Sequence, residues 1–498
     1  MRTIYLLMCF APLGLTVVCA QPIRYEAEVG GMTASVRQTP FWLRANQYGT
    51  VPLNSPAATV RLGMYRDYKT RPDSAKSRRT SRFGWGFGIN AVANAALSER
   101  GLASASEKWA AFFPDAYAKI RYGRLELFAG NRREVYGIGD TLLTSGFVAW
   151  SGNALPFPKI QLHTPDYVSL GFTKHLFAFR AGYAHGWFIN TYIRGSYLHQ
   201  KYLYARLGKP HWRVRFYGGL NHQVQWGGRA DYLVGTALSV DGSLPTSFRD
   251  YLSIVTGSYP DAIQSSRFTD FDGTNRIGNH VGSYDVGVEW NGPKANWLLY
   301  RQHPYEDASG LSFQNLPDGL TGLRFLNHQP ATHTFQIRRV VVEWLRTTNQ
   351  SGPTFDLSAR FQGQDNYFNN SQYREGWSYR VRTIGTPFIM PGTDLAPAVA
   401  GLSSAGFFPN NRLITWYAGL NGAFRNGPTL TVRASHSRNF GMYKRPYPAV
   451  FRQFSGLLSA QWPLGRRAGT LLSTSFALDR GELLPDSFGG FLSVRRTW

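Results

Sequence analysis

The sequence predicts an all-β protein, a transmembrane antiparallel β-barrel. The first observation is an alternation of period two: from Phe83 to Ile89 every odd residue is large and apolar and every even residue is glycine, as in a strand with one apolar face. The second is the lack of any apolar run of about 18 residues after the amino-terminal segment, which excludes spanning helices. The third is composition: aromatic residues reach 15% and charged residues only 17%, unlike a soluble domain.

Residues 1–20 are predicted to be a secretory signal peptide, followed by a barrel domain over 21–498. Arg2 supplies the positive charge, residues 4–18 form a short apolar core, and Ala20 precedes the expected cleavage site. Cys9 and Cys19 both lie in this segment, so the mature chain would contain no cysteine. That excludes disulfides, zinc–thiolate sites and cysteine nucleophiles.

Several alternating stretches carry arginine opposite their apolar residues. In 212–216, Arg213 and Arg215 oppose three apolar side chains, and 379–382 places Arg380 and Arg382 in the same way. A soluble sandwich would show the same alternation with its apolar face inward. In a membrane barrel the apolar side chains face lipid and the polar ones face the lumen. These four arginines are therefore predicted to line the lumen.

Turn signals separate the predicted strands, for example Gly123 after Tyr122 and Gly292-Pro293 after Asn291. Longer polar stretches at 264–280, 305–328 and 362–374 predict loops at the opposite end, the asymmetry of outer-membrane barrels. Spans of about ten residues then fit about 16 to 18 strands. Two segments are not strand-like: 39–48 predicts a turn of helix, and 91–113, rich in Ala and Ser, predicts a helical or loop insert.

The chain ends on Trp498 after an alternating stretch that begins at Leu492. A terminal aromatic residue on a closing strand is the pattern that the barrel-assembly machinery of bacterial outer membranes recognises, so this machinery is an expected partner. Together with the signal peptide, the pattern predicts the outer membrane of a Gram-negative bacterium, with outer-membrane lipid around the barrel.

The formal net charge of +24 favours an acidic partner, either lipid phosphates or an acidic polysaccharide, while the export signal argues against nucleic acid. No G-x-S-x-G or H-E-x-x-H motif occurs, and the one tight Ser/His cluster, 435–437, lies in an alternating stretch. We expect no enzymatic activity, no catalytic residues and no cofactor. Residues 270–275 resemble the start of a calcium loop without its downstream glutamate, so no metal site is expected.

Six stretches, taken in order, resemble the capsule-assembly outer-membrane proteins of the Wzi type, in the version found in Bacteroidetes-like bacteria. They are residues 39–49, 151–156, 219–228, 278–283, 306–319 and 376–388. The resemblance runs through nearly the whole mature chain. It implies about 18 strands, a small helical part near the N-terminus, and a lectin-like role that holds capsular polysaccharide at the cell surface.

Candidate sugar contacts come from the chemistry of the residues and not from the resemblance. Pyranose faces stack on aromatic rings, and hydroxyls and uronates bind amide, carboxylate and guanidinium groups. Two groups of residues fit: Asn221, His222, Gln225 and Trp226, and further along Asp307, Asn315 and Asp318. Trp226 is equally typical of an interfacial aromatic belt, and Asp/Asn-rich loops are often plain turns.

The predicted function is therefore an outer-membrane protein that binds and anchors capsular or other extracellular polysaccharide. The alternative is a porin-like channel with an arginine-lined lumen, which a lumen filled by loops would argue against. A third hypothesis, an outer-membrane hydrolase, requires a His–Ser or His–Asp pair near the outer rim.

Overall fold

The computed structural model is a closed antiparallel barrel. It describes residues 22–68, 82–96, 109–190, 192–260, 262–330, 334–354, 356, 363–402, 406–425, 427–465 and 469–498. One 19-stranded sheet forms the wall, and because two short consecutive strands share one neighbour, the wall has 18 strand positions. The first strand pairs with the last from Glu26↔Thr497 to Ala34↔Gly489, which closes the sheet. The predicted fold class is confirmed.

In chain order, the strands of the described residues are β1 (Arg24–Ala34), β2 (Ala57–Arg66), β3 (Phe83–Ala96), β4 (Trp109–Tyr122), β5 (Leu125–Asn131), β6 (Lys159–His163), β7 (Val168–Ser169), β8 (Phe177–Trp187), β9 (Tyr197–Leu207), β10 (Val214–Trp226), β11 (Asn279–Asn291), β12 (Ala295–Tyr305), β13 (Gly319–Asn327), β14 (Phe335–Arg346), β15 (Ser378–Tyr379), β16 (Arg382–Thr383), β17 (Leu413–Phe424), β18 (Thr429–Gly441), β19 (Pro446–Pro463), β20 (Thr470–Gly481) and β21 (Ser487–Thr497). β15 and β16 form a separate hairpin, and β6 and β7 both pair with β8.

Side chains alternate between the outside and the lumen along the wall, as β3 illustrates. Trp85 is 47% exposed and Ile89 41% exposed on the outer face, with Phe87 between them on the same side, while Gly86 and Gly88 are buried on the inner face. Apolar residues face lipid in such a wall. The outward orientation expected of Trp85, Phe87 and Ile89 from this alternation is confirmed.

The two ends of the barrel differ in loop length. The start of β1 and the end of β21 lie at one end, where Tyr25 N–H donates to Trp498 O at 2.8 Å and Trp498 N–H donates to Tyr25 O at 3.1 Å. Connections at this end include the short turns 123–124, 208–213 and 292–294, whereas the opposite end carries the longer connections 132–158, 227–278 and 347–412. Short turns mark the periplasmic end and long loops the extracellular end.

Helices are few and short. They are α1 (Phe41–Arg44), α2 (Phe248–Thr256), α3 (Asp270–Thr274), α4 (Ala308–Leu311) and α5 (Pro397–Ala400), with 3-10 turns at Gly171–Thr173, Asp231–Leu233 and Gly392–Asp394. α1 confirms the helical part predicted near the N-terminus. In the part of the chain that the structure describes, no helix is long and apolar enough to cross a membrane.

Two segments differ from the sequence-based expectation. Residues 91–96 continue β3 and 109–113 begin β4, so the insert predicted at 91–113 is wrong at both ends, while 97–108 and the predicted signal peptide lie outside the described residues. The alanines of 91–96 and 109–113 lie on wall strands, where neighbouring strands pack around their small side chains. An alanine-rich composition therefore does not require a helix here. Gly319–Asn327 was expected within a loop and forms β13, paired on both sides.

We predict that replacing Ile89 with Arg destabilises the barrel by about 2–4 kcal/mol, because a guanidinium near the bilayer midplane loses its hydration. The heat-dependent mobility shift of the folded barrel on a gel measures this. Ile89→Leu is the matched control and should leave the transition unchanged. An Ile89→Arg protein with the same transition temperature would show that this face does not contact lipid.

Candidate functional site

The lumen is occupied by three inward-folding extracellular segments. They come from 38–55, 132–158 and 363–402 together with 406–412, and they pack with inward-facing wall residues in one apolar cluster, which we call the lumenal core. Its aromatic members are Phe41, Trp42, Tyr136, Phe147, Trp150, Phe157, Phe188, Tyr202, Tyr204, Tyr300, Tyr367, Phe368, Trp377, Tyr379, Phe388, Phe408, Tyr417 and Tyr447. Ring contacts are close: Phe157 stacks on Tyr379 with centroids 4.1 Å apart.

Charged and polar side chains of the wall hold segment 132–158 in the lumen. Arg339 Nη1 donates to Asp140 Oδ2 at 2.6 Å. Glu343 accepts from Thr144 Oγ1 at 2.7 Å and from Ser145 N–H at 2.6 Å. Asp140 and Glu343 are each almost fully buried, and a buried carboxylate is tolerated only where partners satisfy it. The segment is therefore fixed by specific bonds as well as by apolar packing.

The N-terminal segment is anchored to the last strands of the barrel. Phe41 N–H donates to Asp479 Oδ2 at 2.8 Å, and Trp42 Nε1 donates to Ser435 Oγ at 3.0 Å. Arg44 forms a buried ion pair with Asp394 from the long loop after β14. α1 thus joins the wall to the lumenal core.

The first predicted sugar-contact group lies on β10 and is buried, split between the two faces of the wall. Asn221 points inward, where its Nδ2 donates to Ser283 Oγ at 2.7 Å, and Gln225 donates to Tyr192 OH at 3.2 Å. His222 and Trp226 point outward, only 7% and 4% exposed. Residues in alternation on a strand cannot meet one ligand, so the predicted cluster is wrong as a single sugar site.

The second predicted group holds extracellular loops together. Asp307 caps α4 by accepting from Ser309 N–H at 2.8 Å. Asn315 Nδ2 donates to Tyr367 OH at 2.8 Å, and Asp318 accepts from Gln350 N–H at 2.8 Å.

Asn315 and Asp318 are fully buried. A glycan would reach them only after these loops had opened, so we do not retain this group as surface contacts.

The four predicted lumenal arginines occupy different places. Arg215 points inward as predicted and pairs through Nε with Glu289 Oε2 at 3.0 Å. Arg213 is exposed in the periplasmic turn just before β10.

Arg380 and Arg382 are not on a wall strand, which corrects the prediction. The β15–β16 hairpin turns at Arg380 and Val381, with φ of 48° and 63°. Arg380 is exposed, and Arg382 reaches inward to donate to Val51 O at 2.5 Å. The hairpin turn alternates apolar residues with arginines over 379–382, as a wall strand would. The sequence pattern alone therefore could not distinguish the turn from a strand.

A polar and aromatic surface is exposed on the extracellular side, and we call it the arginine patch. Arg374 lies over the rings of Tyr232 and Tyr192, with its Cζ 4.9 and 5.6 Å from their centroids. Beside them, Arg194 and Arg229 exchange two backbone hydrogen bonds of 2.9 Å.

Ion pairs of the arginine patch are open to solvent. Arg194 lies 3.4 Å from Asp231, and Arg229 lies 3.4 Å from Asp241. The arginine side chains are 73% and 48% exposed. Exposed ion pairs are weak, so both guanidiniums can exchange their carboxylates for those of an acidic ligand, while the Tyr232 ring, half-buried, offers a stacking face.

Sequence reasoning missed the arginine patch because it joins three loops that are distant in the chain. The only local signal is Arg374, two residues before the Gly376-Trp377 stretch that carries part of the family resemblance. Tyr192, Arg194 and Arg229 lie in ordinary-looking polar stretches, and only the folded loops bring them together.

Two motifs considered in the sequence have structural roles. Asp270–Thr274 forms α3, and Asp272 accepts from Gln372 Nε2 at 2.9 Å. Ser435 and Ser437 face the lumen, while His436 faces outward beside Trp416, so these three residues do not converge as a Ser/His pair.

Comparison with known proteins identifies outer-membrane barrels. No family model matches the chain, and no curated protein matches it in sequence. A solved structure of Escherichia coli Wzi, described as an outer membrane protein involved in group 1 capsule assembly and a carbohydrate-binding β-barrel, is similar with a TM-score of 0.55 at 13% identity, over 94% of this chain and 83% of that one. Pseudomonas aeruginosa OccK1 (OpdK) follows with a TM-score of 0.47 at 10% identity, over 96% and 98%, and OccK5 (OpdH) with 0.44 at 10%, over 95% and 97%. The chain is an outer-membrane barrel of a Gram-negative bacterium with a Wzi-like fold.

We predict that Arg339→Ala loosens segment 132–158, because Asp140 would keep a buried charge without its cation, at a cost of about 3–5 kcal/mol. Hydrogen exchange of residues 138–148 should accelerate. Arg338→Ala, on an exposed neighbour, is the control. Adding Asp140→Asn to Arg339→Ala should restore part of the protection, and equal exchange in all variants would contradict the role of this ion pair.

We predict that the loop that contains Asp365 packs less stably against its neighbouring loops as pH rises. Burial, with Asp307 nearby, raises the Asp365 pKa from its ordinary value of 3.8 to about 7. The docked loop therefore binds its proton more tightly than the undocked loop, so its stability is complete below about pH 4 and falls as pH approaches 7.

The measurement for this pH effect is the protection factor of residues 363–368 between pH 4 and about 8. Asp365→Asn mimics the protonated acid and should remove most of the pH dependence, whereas Asp231→Asn, on an exposed carboxylate, should not. A pH-independent wild-type protection factor would contradict the prediction.

Proposed function

We propose that this chain is an outer-membrane, lectin-like protein that binds capsular or other extracellular polysaccharide and retains it at the cell surface. The observation that carries the proposal is the arginine patch on the extracellular side of a lumen filled by the lumenal core. Three arginines and the half-buried Tyr232 ring there combine cation binding of uronate or phosphate groups with ring stacking, while Tyr192 beneath them is buried. The net charge of +24 suits an acidic glycan.

The fold likeness gives independent support of a limited kind. Wzi, whose solved structure is similar with a TM-score of 0.55, is described as a carbohydrate-binding β-barrel involved in group 1 capsule assembly. At 13% identity this likeness concerns the fold, so the glycan-binding role of this chain stays a proposal that rests on its own surface. We propose no catalytic role, and we propose the barrel-assembly machinery as the partner that inserts this barrel into the outer membrane.

A porin-like channel is the alternative function. Arg215, Arg324 and Arg339 do face the lumen, but each lies within ion-pair distance of Glu289 or Asp140. The aromatic rings of the lumenal core occupy the space above them. Among the described residues these arginines therefore hold the wall and its loops together, which favours the surface function over solute passage.

The test of function is the ratio of cell-bound to free polysaccharide in the native host. A deletion strain should still make polysaccharide but release it into the medium, and the full-length gene should restore retention. If retention equals that of the wild type while uptake of small solutes drops, the porin alternative is correct and the proposal is wrong.

We predict that Arg374→Ala combined with Tyr232→Ala weakens binding of the host polysaccharide by the purified barrel about tenfold or more, the effect of about 1.4 kcal/mol, because arginine and aromatic side chains dominate binding surfaces. Arg480→Ala is the control, since Arg480 is an exposed, ion-paired arginine elsewhere on the extracellular rim. Residual binding should fall further with salt, which screens exposed charges beyond about 10 Å at 0.1 M. If the double variant binds the polysaccharide as well as Arg480→Ala does, the glycan does not bind at the arginine patch.

A further inference from the structure

The outer surface of β8–β11 carries an unusual polar area near the extracellular end. Its members are His185, His199, Lys201, His222 and His280, on the same side of the wall as the exposed Leu203 and Val286. Polar and cationic side chains on the lipid-facing side of a barrel are destabilising. This area therefore requires a cover that keeps lipid away from it.

A segment of the long loop between β10 and β11 supplies that cover. We call residues 247–260 and 262–278 the outer flap. Tyr251 lies over Trp226 with ring centroids 5.3 Å apart, and its hydroxyl is 2.7 Å from Tyr183 OH. Lys201 Nζ donates to the carbonyl of Val255 near the end of α2. Because these barrel partners all point outward, α2 lies on the outside of the wall and not over the lumen, while α3 connects the flap to the extracellular loops through Asp272 and Gln372.

Apolar contacts fix the flap on the wall. Ile254 of α2 and Ile277 pack with Val224 and Trp226 in a small buried cluster. His222 Nε2 lies 2.9 Å from His280 Nδ1, and His280 Nε2 lies 2.9 Å from the carbonyl of Ile277. His222, His280 and Lys201 thus find partners among themselves and on the flap backbone, whereas the buried His199 ring is covered but makes no hydrogen bond to the described residues through either nitrogen.

Local sequence makes α2 a well-defined helix at this place. Ser247 and Asp250 form a capping box at its start, and Gly257 adopts φ 68° at its end, which are the signals that begin and end a helix. The helix therefore presents a fixed inner face to the wall and a fixed outer face to its surroundings.

The outer side of the flap exposes several apolar side chains, with the Arg276 guanidinium 4.9 Å from the centroid of the Tyr259 ring. Phe248 is 75% exposed and Leu252 50% exposed, one helical turn apart, with Tyr259 at 49% and Ile263 at 67% beyond the helix. The arginine patch, which faces water, exposes charged residues instead. Because the flap stands on the lipid side of the wall, directly above lipid-facing residues such as Leu203, its outer face continues the apolar belt of the barrel.

We infer that the outer flap is embedded in the outer leaflet and binds the acyl chains of its lipids through Phe248, Leu252, Tyr259 and Ile263. The flap covers the histidines and Lys201 on one side, burying His199, His222 and His280, and offers lipid an apolar surface on the other. This is the arrangement of an interfacial amphipathic helix, held in this case on a barrel wall. The site is distinct from the glycan surface and does not depend on the proposed function.

Spin-label accessibility tests the inference in the full-length mature protein. Single labels are attached at Phe248→Cys and Leu252→Cys, with Leu203→Cys as the lipid-facing reference and Arg194→Cys as the water-facing reference. The proteins are reconstituted in vesicles of phosphatidylethanolamine and phosphatidylglycerol, with and without lipopolysaccharide. Both flap labels should show a several-fold higher ratio of oxygen to nickel-chelate accessibility than the Arg194→Cys label, close to that of the Leu203→Cys label.

Two outcomes of the spin-label experiment would overturn the inference. Flap labels as accessible to nickel chelate as the Arg194→Cys label would show that the flap faces water and would overturn the inference. Low accessibility to both reagents with dipolar broadening between copies would identify a second copy of the chain as the occupant, which also overturns it.

A second measurement needs no substitution. Wild-type protein in vesicles that contain a phospholipid with a photoactivatable acyl chain should acquire adducts within 247–260 and 262–278. Adducts confined to the strands, with none in the flap, would overturn the inference.

Discussion

The width of the barrel is the constraint on which the rest of this structure depends. Small barrels fill their interior with the side chains of their own wall, but a wall of about 18 strands encloses a channel unless something else enters it. The inner face of β3 leaves even more lumenal space unfilled, because Gly86 and Gly88 contribute no side chain there. Aromatic residues from three extracellular segments fill this space. Among them, Trp42, Phe157 and Trp377 are almost fully buried.

In the proposed function, this filling leaves the extracellular surface as the place of binding. Once loops pack inward and wall residues such as Arg339 and Glu343 fix them, their remaining exposed residues form a fixed extracellular surface instead of mobile gates. Arg374 on Tyr232 belongs to that surface. On the outside of the wall, the outer flap covers polar residues of the barrel and exposes Phe248 and Leu252.

The fold was predictable because its signals are local, whereas the site was not. Alternation identified the outward positions of Trp85 and Ile89, and short turns against long loops identified the two ends of the barrel. Alternation alone cannot separate a wall strand from a two-residue hairpin turn, which is why Arg380 was misplaced. It also cannot say whether an outward aromatic meets lipid or a loop: Trp226 lies under Tyr251, a contact set by a segment over twenty residues away in the chain.

We propose that the lumenal core closes the barrel and that the chain acts through its surfaces. Single-channel recording of the full-length protein in a planar lipid bilayer tests this central claim most directly. We predict no stable ohmic conductance at either polarity for the wild type, with openings appearing only when the loops are released by Arg339→Ala. Steady, long-lived open steps in the wild-type protein, of the size shown by an unobstructed barrel of this strand number, would contradict the claim.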